Sequence, residues 1–215
     1  EGECTSSACS FAAGSRSYLG CEYLAVELPN VISSPISDMN GLHPPVGVVI
    51  SNTSDTQSTI ITFHNPQGEI SDVIQEELVM VTPISGLSLT PQTIYSEIRD
   101  ANGQRVGMPL ARIDQIEIPP SGMGIFLLPS FTWGTGSNVE RNAYRISTNY
   151  PVSAYQFAPY CCNYSFSNDA SLLIPTTALG NVYKYLGIPT LVFVNEITLE
   201  EEASANTLTV VAHED

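Results

Sequence analysis

TIYSEIRDANGQRVGM, residues 93–108, carries the reading that decides the fold class. Two short runs, 93–99 and 105–108, flank Asp100-Ala101-Asn102-Gly103. Asn-Gly accepts positive φ at both central positions of a tight turn, so this is the clearest hairpin signal in the chain. The same four residues hold part of a calcium-loop rhythm. They lack the first acidic positions and the closing Glu, and so read as a turn.

Outward from this hairpin the texture repeats: short apolar or alternating runs separated by Pro, Gly, Asn and Asp. Residues 21–28 (CEYLAVEL) read as a first strand, and 46–50 and 59–64 read as a hairpin around the polar turn 51–55. Further strands fit 113–118, 123–128, 143–148 and 152–157, with Pro119-Pro120-Ser121-Gly122 separating two of them. Beyond Pro159, strands fit 171–174, 182–186, 191–194 and 207–212, and 176–179 fits one short helical turn. No apolar stripe of helical period is sustained over three turns. Residues 75–80 are the best helical rival, limited by Pro83. The expectation is an all-β, antiparallel, sandwich-like protein with two successive units: a Cys-bearing segment and first strand at 1–45, a first β unit at 46–160, and a second unit at 161–215, incomplete and packed on the first. The last run, TLTVVAHED, stops where a turn is due, which reads as a chain cut within a domain or a strand that pairs outside the chain.

Composition narrows the function classes. The 215 residues are 43% hydrophobic, enough to bury a core, and only 13% charged, about half the usual share. The polar surface must therefore be built from Ser, Thr, Asn and Gln, which suits a β protein outside the cell. With 22 acids against 7 bases the formal charge is −15, which repels phosphate backbones and disfavours nucleic acid as a partner. After Lys184 there is no Lys or Arg, and Glu200-Glu201-Glu202 read as a solvated loop. No apolar run is long enough to span a bilayer. An acidic, lysine-poor chain with clustered cysteines reads as disulfide-bearing and secreted, or held on the outer cell surface.

Catalytic signatures are missing: the chain has no GxSxG, HExxH, GxxxxGK[ST] or GxGxxG. His43, His64 and His213 lie far apart and read as surface or turn residues. The expectation is a non-enzymatic protein without a cofactor. Asn52-Thr53-Ser54 and Asn163-Tyr164-Ser165 match the glycosylation acceptor pattern. Aromatic residues crowd 144–166, and the Tyr, Ser and Asn of the 159–168 loop have paratope-like chemistry, with Tyr160 and Tyr164 as ligand-contact candidates.

The five cysteines are Cys4, Cys9, Cys21, Cys161 and Cys162. Adjacent side chains on a strand point to opposite faces, so Cys161 and Cys162 are expected to take different partners. The expected pairing joins Cys9 and Cys21 to Cys161 and Cys162 in some order, with a local Cys4–Cys9 bond as the rival.

Residues 15–26 (SRSYLGCEYLAV) and 143–179 (AYRISTNYPVSAYQFAPYCCNYSFSNDASLLIPTTAL) resemble the IgG Fc-binding protein N-terminal domain family. Many of its members are large secreted or surface proteins of myxobacteria-like bacteria. The resemblance runs from about Ser15 to the C-terminus and is densest at 151–159 and 167–180, whereas 65–112 matches poorly. It implies an extracellular β module without assigned catalytic residues; it does not imply immunoglobulin binding. Matched positions include Cys21, Cys161, Cys162, Ser167, Asn168, Asp169 and Pro175. Asn168 and Asp169 precede an apolar run, where the plain role is an Asx turn and the sharper one is ligand contact or, for Asp169, calcium coordination. Two functions follow as expectations: a surface adhesion module recognising a protein or glycan, or a self-assembling subunit of a filament, sheath or surface layer.

Overall fold

The computed structural model describes residues 7–28, 46–75, 93–107, 111–129, 139–158, 169–187, 191–194, 201–204 and 208–213. The chain divides into two compact units, Glu1–Leu179 and Gly180–Asp215. Helix α1 (Ser7–Ser15) opens the first unit and is followed by β1 (Gly20–Val26), β2 (Val46–Asn52), β3 (Thr59–His64), β4 (Asp72–Gln75), β5 (Thr93–Arg99) and β6 (Arg105–Val106). Next come β7 (Ala111–Ile113), β8 (Ile116–Ile118), β9 (Met123–Leu128), β10 (Ala143–Ala158), β11 (Asp169–Leu172) and a 3-10 turn at Thr176–Ala178. The second unit contains one antiparallel pair, β12 (Leu191–Val194) and β13 (Glu201–Ser204).

The all-β expectation holds. The first unit is one mixed, nearly closed sheet of eleven strands, in which β4 and β5 pair in parallel and the other pairs are antiparallel. Its organising element is β10, 16 residues long, beyond the usual strand length. The N-terminal half of β10 pairs with β1 on one edge and β3 on the other, and β8 extends the layer beyond β3. The C-terminal half pairs with β2 and β11, and the layer continues through β9, β5, β4 and β7. Between the halves the register with β1 slips: Glu22 opposes Ser147 while Gly20 opposes Val152, so residues 148–151 bulge opposite Cys21, although Thr148 still pairs with Ile61 of β3. Pro151, which has no N–H to offer a ladder, sits in this bulge. Residues 143–148 and 152–157, read from sequence as two strands, are thus one bent strand.

Both layers feed a single core. Ile61, Phe63, Ile116, Ile118, Tyr144 and Ile146 from one side meet Val48, Ile50, Ile94, Ile98, Phe126, Leu128 and Ala154 from the other, all with at most 2% exposure. Phe63 and Phe126 meet across it with ring centroids 4.7 Å apart. Burial pushes the Tyr23 and Tyr144 phenols well above their usual range, and the Glu27 carboxylate pushes Tyr144 in the same direction.

Several local expectations are corrected. β2 and β3 do not form a hairpin: each pairs with a different half of β10. Their connection is tied instead to the 119–122 turn. The buried Asn52 side chain donates through Nδ2 to the carbonyls of Gln57 (2.7 Å), Pro119 (3.0 Å) and Ile118 (3.2 Å), and its Oδ1 accepts from the Ser54 N–H. The Asn52 acceptor pattern is therefore packed inside the fold, while Asn163 lies outside the described residues. In the 100–103 turn only Gly103 takes the left-handed conformation (φ 76°), because the Asp100 carboxylate accepts from the N–H groups of Asn102 and Gln104 and holds a different turn. By compactness the chain divides after Leu179, and β11 pairs with β10 inside the first unit. Residues 182–186 and 208–212 are not strands, and the acidic run at 201–202 is not a loop but part of β13. Helix α1 is an element that apolar periodicity missed. Of the helical rival at 75–80, Gln75 ends β4 and the rest lies outside the described residues.

Two outcomes follow. Asn52→Ala takes a buried amide away from the Gln57, Ile118 and Pro119 carbonyls, the last of which keeps its bond from the Gly122 N–H, and should lower unfolding free energy by about 2 kcal/mol in a denaturant titration. Above about pH 10, where an unfolded phenol ionises but a buried one does not, the unfolded state sheds protons that the folded state retains. Stability should be steady below that pH and fall by about 1.4 kcal/mol per pH unit per buried tyrosine above it, measured as the urea midpoint against pH.

Candidate functional site

The bulge in β10 needs partners for the groups it removes from the ladder, and side chains supply them. The Asn149 Oδ1 accepts from the Ile60 N–H (2.8 Å), standing in for a ladder bond to β3. Thr148 Oγ1 lies 2.9 Å from the Tyr150 carbonyl, Thr53 Oγ1 donates to the Pro151 carbonyl (3.3 Å), and the Tyr23 phenol lies against the Val152 carbonyl. The outer side of the bulge is where α1 docks. SACSFAAGS is short and Ala-rich, and it buries Cys9 and Ala12, three residues apart and on one helix face. Phe11, two residues from Cys9 and so about 200° round the helix, faces away and is 81% exposed. Ser15 closes the last turn by donating to the Ala12 carbonyl (2.7 Å), and Arg16 leaves the helix in the left-handed region.

A disulfide between Cys9 and Cys21 bolts this helix to β1. This corrects the expected pairing of Cys9 and Cys21 with Cys161 and Cys162. The turn that links α1 to the start of β1 brings the two near sulfurs together without any long-range closure. Cys4, Cys161 and Cys162 lie outside the described residues.

Between α1, the β2–β3 connection and the bulge lies an open cleft of about 330 Å³. Phe11, Leu19, Tyr150 and Pro151 supply apolar surface, Ser15, Ser17, Thr53, Ser54 and Thr56 supply hydroxyls, and Asp55 is the one charged residue among the described residues of the lining. Such a mixture, apolar surface with a few placed polar groups at about this volume, is what small-molecule sites are made of. Among the described residues no group of three or more His, Cys, Asp or Glu is placed to hold a metal ion. His64 ends β3 and His213 belongs to the second unit, whereas His43 is outside the described residues.

Tyr160, Tyr164 and Asn168 also lie outside the described residues, so they are not assembled into a site here. Asp169 begins β11 opposite Ala158. The segment after it braces the sheet. The Leu173 N–H donates to the Ala154 carbonyl (2.9 Å), and Thr176 donates to Glu22 (3.0 Å). Pro175 lies so close to Gly20 that a Cβ there would fall 2.3 Å from its ring. The segments at 15–26 and 169–175 thus meet one another at the β1–β10–β11 corner. Comparison with protein-family models, with curated proteins and with solved structures finds no match. The family resemblance of those motifs rests on the quoted residues alone.

The cleft was missed in sequence because it joins positions 8–19, 53–56 and 150–151, and none of the motifs read there links one of these segments to another. Its dependence on the disulfide is testable. Replacing Cys9 and Cys21 by Ser should cost about 3 kcal/mol, the loop-closure value for a separation of 12 residues. It should also expose α1 to limited proteolysis, while non-reducing peptide mapping of the parent chain should recover a linked Cys9–Cys21 peptide.

Proposed function

We propose that the chain is an extracellular, non-enzymatic module that recognises a protein or glycan on a surface. The observation that carries this reading is Phe11. A large apolar side chain is held 81% exposed on a helix fixed by a disulfide, at the rim of a cleft rich in hydroxyls. What sets Phe11 apart from singly exposed apolar residues is its place: it adjoins Leu19, Tyr150 and Pro151 in one cleft lining, a grouped apolar surface rimmed by hydroxyls that supports a contact role. The disulfide supports export, since such bonds persist in oxidising compartments. The charge of −15 supports a neutral or basic partner over nucleic acid. Among the described residues no helix is long and apolar enough to cross a membrane.

Self-assembly remains the second reading, and one feature favours it. In the second unit Val182, Leu186, Val192, Val194 and Val210 are each more than half exposed, and an isolated two-stranded pair has little stability of its own. Copies of the chain would cover such surface.

The labelled chain, applied to arrays of surface glycans and proteins, should bind a restricted set. Phe11→Ala should weaken that binding by about tenfold or more with an unchanged melting temperature. Equal binding by the two proteins would remove the cleft from the reading. Stable polymers in sedimentation at micromolar concentration would replace it with the assembly reading.

A further inference from the structure

We propose that the cleft between α1 and the β10 bulge is a binding site for a neutral sugar ring. This rests on the surface-recognition reading and names its ligand class. The argument begins with which hydrogen-bonding capacity the fold leaves over. Ser15 and Thr53 spend their protons on the carbonyls of Ala12 and Pro151, so each turns only lone pairs to a ligand. The Asp55 carboxylate is an acceptor and is exposed. Ser54 Oγ already accepts from the N–H groups of Thr56 (3.3 Å) and Gln57 (2.9 Å), which leaves its proton as a donor. The lining thus turns acceptors at Ser15, Thr53 and Asp55 and a donor at Ser54, with the Thr56 and Tyr150 hydroxyls able to do either, and it suits a ligand whose O–H groups both donate and accept.

Charge narrows the class further. Among the described residues no Lys or Arg lines the cleft, Asp55 does, and the whole chain carries −15. A phosphate, uronate or sialate would find no cation in the lining itself, with exposed Arg16 between Ser15 and Ser17 the adjoining one, and would meet the repulsion of the chain's net charge on approach. Shape supplies the last constraint. Phe11 and Tyr150 offer aromatic surface, which suits a ligand with one apolar face and a polar rim. A pyranose ring has both: C–H bonds on one face and hydroxyl donors at its edge. The volume of about 330 Å³ lies at the small end of ligand sites, so the cleft takes a terminal sugar or a disaccharide unit rather than a long chain.

The test is a titration of the full chain, followed by NMR, with the methyl glycosides of glucose, galactose, mannose and N-acetylglucosamine. Glucuronate and inorganic phosphate serve as anionic probes. At least one neutral glycoside should shift resonances of Phe11, Tyr150 and Asp55 at millimolar concentration, and neither anion should do so. Phe11→Ala and Asp55→Asn should each weaken the sugar by about tenfold, with melting temperatures unchanged, because both side chains are exposed. Tighter binding of glucuronate or phosphate would overturn the inference. So would shifts confined to residues outside the cleft. If no glycoside binds but an arrayed protein is captured in a Phe11-dependent way, the sugar assignment falls and the recognition module stands. If neither binds, both fall.

Discussion

Ala143–Ala158 bends midway through the sheet of the larger unit, and at the bend the carbonyls of Tyr150, Pro151 and Val152 are each met by a side chain: Thr148 from the strand itself, Thr53 from the β2–β3 connection, and Tyr23 from β1. The bulge lets the two halves of this one strand take different neighbours within a single sheet, and the side-chain bonds satisfy backbone carbonyls where the β1 ladder is interrupted. Because β1, β2, β3 and β11 all take their register from β10, the bend sets where each of them lies.

The cleft is a by-product of the same bend. A bulge lifts Tyr150 and Pro151 away from the layer, the β2–β3 connection must swing past them because its strands belong to different layers, and α1 closes the remaining side. Two pins hold these walls. One is the buried Asn52 amide, which ties the β2–β3 connection to the turn before β9; the other is the Cys9–Cys21 bridge, which ties α1 to β1. Neither touches a ligand in the proposed site, yet both decide whether its walls stand at a fixed spacing, and rigid walls are what spares a binding surface the cost of being ordered on contact.

Much of the fold was legible because it depends on local chemistry. The Pro119–Gly122 turn, the strand read at 21–28 and found at 20–26, and the helical turn read at 176–179 and found as a 3-10 turn at 176–178 follow from turn residues and short apolar runs. Pairing was less legible. Nothing in 46–64 distinguishes two strands that bond to one another from two that flank opposite halves of a third, since both need the same alternation. Helix α1 carries too short an apolar face for periodicity to register. The disulfide was misassigned because Cys161 and Cys162, read as neighbours on a strand, were each given a partner from the N-terminal cluster, whereas helix α1 brings Cys9 directly to Cys21. Of the site, Asp55 and Phe11 each look like ordinary surface residues in sequence; only the bend brings them to one place.

The order in which such a chain can fold is constrained by where β10 sits in it. Tyr23 must wait for Val152, 129 residues later, before β1 has anything to pair with. The Cys9–Cys21 bridge spans 12 residues and needs no such wait. A chain emerging N-terminus first into an oxidising space would therefore close its one described covalent link early, while the sheet that the link will brace does not yet exist. For most of its emergence the molecule would be a cross-linked but unpaired first strand, with Tyr23 and Ala25, later fully buried, still open to water and to any passing chaperone.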